Sequence, residues 1–253
     1  MQDLPLVAIP SYKRVSILAH KTLKLLIGVG YPAEKITVFV ADDEEAKEYR
    51  KMLNAIKPQI NLVVGKPGLQ PQREFISNYY PENTILLCMD DDVDNIKTLD
   101  PEMGFLGVVR AGANLLETTP FGLFGVLPND DARRFKNATT THLTHILGSF
   151  FICRNNRDCV PELTEKEDYE RSILYFRCYG CVFRYQGAGV ATKYNIQSGG
   201  LYCPDRKSKM AAECVELRRR FPRAVKIITK KDHPDISLNW RCSVDETNSC
   251  FRE

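Results

Sequence analysis

The sequence predicts an α/β fold with a mainly parallel central sheet and helices on both faces. Three observations carry that expectation. Short apolar runs recur through the first half, each ended by a proline, an acid or a turn signal. Charged stretches of helical period stand between them. The connections are short, and alternating strands and helices with short connections pack as parallel strands covered on both sides.

Taken in order, residues 6–9 (Leu-Val-Ala-Ile) form a buried strand stopped by Pro10. Residues 15–29 carry Ile17, Leu18, Leu25 and Leu26 at helical spacing and end at Gly28 and Gly30. Residues 36–40 are a second strand, 42–56 a charged amphipathic helix, 62–64 a third strand, 71–80 a helix and 84–89 a fourth strand. The second half is less regular. Strands are expected at 121–127, 147–153 and 182–186, with helices at 164–178 and 210–221, the last stopped by Pro222. No repeat, low-complexity tract or clean linker interrupts the chain, so residues 1–253 are expected to form a single domain.

The composition, 43% hydrophobic and 26% charged, is that of a soluble globular protein. No apolar run reaches the roughly 18 residues of a membrane span, and Met-Gln-Asp-Leu-Pro has no basic region leading into an apolar one. A cytoplasmic protein without a signal peptide is expected. The nine cysteines are expected to be free thiols in a reducing compartment, with Cys178 and Cys181 the one close pair. The net charge of +3 is unevenly spread. Residues 206–231 hold ten bases (including Arg206, Lys207, Arg218, Arg219 and Arg220) against Glu213 and Glu216, a local +8. Such a block points to an anionic partner or to a solvated helix face.

The strongest chemical signal is an apolar strand running into Asp90-Asp91-Asp92. Adjacent carboxylates repel one another and persist together with a cation or a protonated member. Side chains alternate along a strand, so Asp90 and Asp92 are expected to share a face and converge on one hard cation, Mn²⁺ or Mg²⁺, with a diphosphate filling the other positions. An acidic surface turn is the alternative. A second signal is Thr164-Glu165-Lys166-Glu167-Asp168. Thr164 and Glu167 fit a capping box. Asp168, in a helix first turn that keeps it ionised, is the candidate general base; dipole compensation is its plainer explanation. Gly199-Gly200 before Arg206 and Lys207 could hold an anion or simply turn the chain, and His233 could complete a metal shell or sit in a loop.

With these residues on the page, the chain resembles the GT-A glycosyltransferases. The points of contact are a first strand followed by Ser11-Tyr12-Lys13-Arg14, then Val38-Phe39-Val40-Ala41-Asp42, then Gln72-Arg73, then the acidic stack. The resemblance implies a metal-dependent inverting transfer from a nucleotide sugar, expected to be UDP-linked. It places a nucleotide-sugar half at about 1–95 and an acceptor half at about 96–253. It implies that Pro10, Ser11, Tyr12, Arg14, Asp42, Arg73, Asp90, Asp91, Gly199, Gly200 and Arg206 hold the donor, that Asp92, Asp90 and His233 hold the metal, and that Asp168 is the base. More narrowly, the chain is similar to the TET/JBP-associated glycosyltransferases of phages, large viruses and some eukaryotes. This similarity rests on Ile9-Pro10-Ser11-Tyr12, the Asp stack, Gly148-Ser149-Phe150, Glu167-Asp168, and Gly199-Gly200 before a basic helix ending Phe221-Pro222. It implies 5-hydroxymethylcytosine or 5-hydroxymethyluracil in DNA as acceptor, with Gly148, Lys207, Arg218, Arg219 and Arg220 on the DNA side and no obligate protein partner. A protein or glycan acceptor, a nucleotidyltransferase and an inactive binding module are the competing readings. The nucleotidyltransferase is disfavoured by the absence of glycine from the loop at residues 10–14.

Overall fold

The apolar runs of the first half become strands in the computed structural model, which describes residues 3–56, 59–192, 205–230 and 233–248. Strands β1 (Leu6–Pro10), β2 (Ile36–Val40), β3 (Asn61–Val64) and β4 (Ile85–Met89) are parallel and stand in the order β3-β2-β1-β4. Every residue of β2 is buried, as a strand covered on both faces requires. The sheet continues through four later strands: β5 (Val93–Thr98), β6 (Leu123–Leu127), β8 (Phe150–Arg154) and β9 (Phe183–Thr192). Their order beyond β4 is β8-β6-β9-β5, and the two-residue β7 (Thr139–Thr140) pairs with β9. The strands β8, β5 and β7 run against the other six.

Alternation along the strands divides the core in two. Val7, Ile9, Val38, Val40, Leu87, Met89, Phe150 and Ile152 face one layer of helices: α1 (Val15–Leu18), α2 (Lys24–Gly28), α3 (Asp43–Leu53) and α5 (Gly104–Thr118). Ala8, Phe39, Leu86, Cys88, Phe151 and Cys153 face the other: α4 (Leu69–Tyr79), α6 (Glu167–Tyr179) and α7 (Arg206–Arg220). Helices α1 and α2 are joined by a π-helical turn, Ala19–Leu23, so the helix expected at 15–29 is broken where its side chains meet the acidic loop. After α7, β10 (Val225–Lys230) and β11 (His233–Leu238) form a separate antiparallel hairpin packed on that helix. No helix among the described residues is long and apolar enough to cross a membrane.

Other features also depart from expectation. Helix α5 gave no clear sequence signal because Gly104, Gly107 and Gly112 weaken its propensity by about 1 kcal/mol each. Burial of Phe105, Val108, Val109 and Leu116 overrides that cost. Gly112 is needed for contact, since a Cβ there would stand 2.5 Å from Phe124 and 2.7 Å from Ile152. Strand β5 was missed because it is polar on its exposed side. The capping box is also corrected: α6 begins at Glu167, and Lys166 at its cap position makes no side-chain capping bond. The carboxylate of Glu213, from α7, instead accepts the backbone N–H groups of Thr164, Glu165 and Lys166 at 3.1, 2.7 and 2.9 Å. Glu167 is left to pair with Arg171.

Replacing Glu213 with Ala should therefore leave three backbone donors without their acceptor, at a cost of about 1–3 kcal/mol. Thermal unfolding should show a melting temperature several degrees lower, and Glu213→Gln, which keeps an acceptor oxygen, should recover part of the loss.

Candidate active site

The carboxyl ends of β1, β2 and β4 lie side by side, and the acidic stack leaves the end of β4 among them. The strand stops at Met89, and Asp91-Asp92 form a turn leading into β5. The expected strand alternation of Asp90 and Asp92 therefore does not hold; Asp91 and Asp92 both reach Arg14, and Asp90 pairs with Arg73.

Asp91 is the buried member. Its side chain is 6% exposed and accepts from Ser11 Oγ at 2.6 Å and from Arg14 Nη1 at 3.3 Å. Behind Ser11, Tyr49 of α3 stands 2.7 Å from its Oγ and accepts the Arg14 amide at 3.1 Å. Lys13 adopts a positive φ of 54°, a conformation costly for a side-chain-bearing residue. Glu45 secures it, accepting the Lys13 N–H at 2.5 Å and the Ala41 N–H at 2.9 Å. One carboxylate thereby ties the ends of β1 and β2. On the other side of the acids, Thr22 in the π-helical turn donates to the Asp90 carbonyl at 2.7 Å and accepts the Val93 N–H at 3.0 Å.

Asp90 and Asp92 remain more open, with side chains 37% and 22% exposed. Asp92 is 3.4 Å from Arg14, and Asp90 accepts from Arg73 Nη2 at 2.9 Å. Arg73 is buried and also donates to the Gly148 carbonyl at 3.2 Å, with Glu167 at 3.9 Å. Gly148 is a point of close approach: a Cβ there would meet Glu167 Oε1 at 2.6 Å and lie 3.5 Å from the Asp168 Cβ. The structure thus brings the Arg73 and Gly148 of the sequence expectation together between Asp90 and Asp168. Asp168 itself carries a partner the sequence did not announce, His145, whose Nε2 is 2.7 Å from Oδ2.

Burial raises the acids of the stack, and their mutual repulsion adds to it. Asp90 is pushed up to about 7 despite Arg73, Asp91 to about 6 despite Ser11 and Arg14, and Asp92 is raised in spite of Arg14 and Lys21. Two arginines therefore do not fully balance three carboxylates, and a divalent cation would. Among the described residues no trio of His, Cys, Asp or Glu is already gathered around a metal position. That suits an ion such as Mg²⁺, held by one or two carboxylates and completed by substrate phosphates. Asp90 and Asp92, the two accessible members, fit it.

Other expected residues fall elsewhere. Pro10 ends β1, and Tyr12 is 37% exposed beside Lys13 at the same sheet edge. Asp42 caps α3 by accepting the Glu45 N–H. His233 is not brought to the acids: it opens β11, exposed and opposite Lys230, because its strand belongs to the hairpin on α7. Arg206 pairs with Glu165 at 2.9 Å, and Lys207 is exposed on the first turn of α7. Gly199 and Gly200 lie outside the described residues. The basic helix is corrected most. Arg220 folds back on Glu170 at 2.6 Å and Glu162 at 3.3 Å with only 12% of its side chain exposed. Arg218 donates to the Val225 carbonyl, and Arg219 pairs with Glu216 at 2.7 Å. Tyr49, Glu45, Thr22, Arg171 and His145 were not singled out in the sequence. Each gains its role from a partner more than twenty residues away, except Arg171, which pairs within α6.

No protein-family model matches the chain, and no curated protein matches it in sequence. Solved structures do match it in fold. One is GalNAc-T7 with UDP, GalNAc and Mn²⁺ (TM-score 0.52, 13% identity, 78% of this chain and 45% of the other). Another is the mannosyltransferase PcManGT from Pyrobaculum calidifontis with GDP-Man and Mn²⁺ (0.54, 13%, 88% and 64%). A third is residues 1–349 of TarS from S. aureus (0.50, 14%, 85% and 66%). The chain has the GT-A glycosyltransferase fold and spans from under half to about two thirds of these structures.

The raised acids have a consequence for stability. A carboxylate whose folded pKa lies above its unfolded value binds more protons when folded, so stability falls as pH rises from about 4 through 7. Without metal, the melting temperature should decline over that range. Mn²⁺ should raise it more at pH 8 than at pH 5, and Asp92→Asn should flatten both trends in a thermal-shift titration.

Proposed function

We propose that this chain is a metal-dependent glycosyltransferase that moves a sugar from a nucleotide-sugar donor to an acceptor hydroxyl with inversion. The observation that carries the reading is the acidic turn at the carboxyl edge of a GT-A sheet, linked through Arg73 and Gly148 to another, half-buried carboxylate, Asp168. The nucleotides and Mn²⁺ bound by GalNAc-T7 and the mannosyltransferase support the donor class and the metal. A UDP-linked donor is the first to test.

In this reading residues 1–253 work as one domain, with a donor half at about 1–95 and an acceptor half at about 96–253. The two faces of the core draw on both halves. Asp92 and Asp90 would hold the metal. A bound Mn²⁺ or Mg²⁺ supplies positive charge to the departing diphosphate. Asp91 serves the donor side by fixing Ser11 and Arg14, which line the strand edge where a nucleotide would bind. Tyr12 offers an exposed ring there. Asp168 serves the acceptor side.

The narrower reading, a hydroxymethylated pyrimidine in DNA as acceptor, rests on the sequence resemblance. Its charge support is reduced, because a surface that tracks phosphates needs free cations. Arg206, Arg218, Arg219 and Arg220 are engaged as described, Arg223 is 3.6 Å from Glu246, and Lys230 is 3.7 Å from Asp235. A different feature marks the acceptor side. Trp240, 55% exposed, stands 5.6 Å from His142, three residues before the partner of Asp168. Flat aromatic faces suit a ring-bearing acceptor, whether a glycan sugar or an extruded base.

Incubation with a panel of nucleotide sugars should release nucleoside diphosphate in Mn²⁺ and not in EDTA. Asp92→Asn should lower the rate by roughly 10²-fold or more, since metal stabilisation is worth several kcal/mol. Full turnover in chelator would contradict the metal role. Glycan acceptors and DNA containing 5-hydroxymethylcytosine, compared by mass spectrometry of the products, separate the two acceptors. Sugar found only on glycan would exclude the DNA reading.

A further inference from the structure

Asp168 is not presented to an acceptor by itself. Its Oδ1 accepts the Tyr169 N–H at 2.9 Å, and its Oδ2 faces His145 Nε2 at 2.7 Å. Burial pushes its pKa up, but His145, Arg171 and Lys166 outweigh that and bring it to about 2. With one oxygen engaged by the Tyr169 N–H and the other by the His145 ring, this carboxylate is placed to accept and hold hydrogen bonds rather than to take a proton from a hydroxyl. Imidazole is the side chain suited to that task.

The His145 ring is held in place from several directions. Tyr169 stacks on it at 4.1 Å with the planes 8° apart. Ser172 Oγ accepts the Ile146 N–H at 2.9 Å and donates to the Asp168 carbonyl at 2.7 Å, fastening the loop to α6. Arg184 donates to the His145 carbonyl at 3.4 Å. The charged groups around the pair are Lys166 at the cap of α6, Arg171 on α6 and Arg184 on β9. An ionised Asp168 requires a donor, so the neutral ring keeps its proton on Nε2 and its lone pair on Nδ1. Among the described residues nothing hydrogen-bonds Nδ1, and the side chain is 19% exposed. Three residues on, Gly148 shares Arg73 with Asp90, so the His145 and Gly148 Cα atoms are within about 11 Å.

We propose that His145 is the catalytic proton acceptor of the transfer reaction and that Asp168 is its positioning residue. The assignment rests on the glycosyl-transfer reading above. In the step, the acceptor O–H bond breaks and its proton passes to Nδ1. The electron pair of the acceptor oxygen forms the bond to the anomeric carbon. The bond from that carbon to the diphosphate oxygen breaks, and its electron pair leaves with the nucleoside diphosphate. The imidazolium is stabilised against ionised Asp168 until it releases the proton to water. The arrangement shares the division of labour of a histidine base oriented by a buried aspartate.

The test combines kinetics across pH 5–9 with nitrogen NMR of histidine-labelled full-length chain, the His145→Gln variant identifying the signals of His145. His145→Gln should lower acceptor-dependent kcat by roughly 10² to 10⁴ while donor KM stays within about threefold. Asp168→Asn should lower kcat and also move the acid limb of the pH–rate profile to lower pH, because an imidazole without its carboxylate loses its proton more readily. In the wild type at pH 8, Nε2 should carry the proton and Nδ1 should be bare. A folded His145→Gln variant with wild-type kcat would overturn the assignment and leave the transfer reading standing. So would an imidazole still doubly protonated at pH 9. If the wild type turned over no nucleotide sugar, both readings would fall together.

Discussion

Three consecutive carboxylates at the end of a buried strand are the constraint around which the rest of this structure is arranged. Their repulsion is opposed by Ser11 and Arg14 after β1, by Lys21 in the π-helical turn and by Arg73 from α4, while Thr22 fastens the backbone of the acidic turn. These partners require support in turn. Tyr49 and Glu45 of α3 hold the loop after β1, including the strained backbone at Lys13. The compensation stops short of neutrality, and the remaining negative charge is what equips the edge of the sheet to take a cation.

The same arginine that restrains Asp90 reaches across to the second half of the chain. Arg73 and Arg171 both lie over the ring of Phe151, at 5.5 and 3.8 Å, with Glu167 between them in charge. Gly148 admits this group because it has no side chain to obstruct Glu167. The acidic turn and the Asp168–His145 pair are therefore parts of one packed unit. A change at Gly148 would disturb both sides, since displacing Glu167 would release Arg73 as well as Arg171.

Helix α7 shows how a local charge count can mislead. Ten bases against two acids in residues 206–231 reads as a surface for a polyanion. Folding brings acids from other segments to these bases: Glu165, Glu162 and Glu170, from before and within α6, to Arg206 and Arg220 of the helix, and Glu246 to Arg223 beyond it. The helix reciprocates through Glu213, which caps the turn before α6. Much of its charge thus serves packing between helices, where ion pairs are shielded from water and constrain geometry.

What the sequence determined by itself is the set of local patterns: four short apolar strands, the helices between them, the acids at the end of β4, and the first-turn acids of α6. These depend on residues adjacent in the chain, and periodicity reports them. The resemblance implied a donor role for the Ser11–Arg14 loop and Arg73 and an acceptor role for Gly148, and the structure sets all three against the acidic turn. Tertiary structure alone decided the rest. Whether Asp91 faces a ligand or the interior, whether Arg220 meets solvent or Glu170, and whether Asp168 acts alone or through His145 all turn on contacts between segments 23 to 80 residues apart. No periodicity encodes such separations, because they are set by which elements the open sheet and its two helical layers bring into contact.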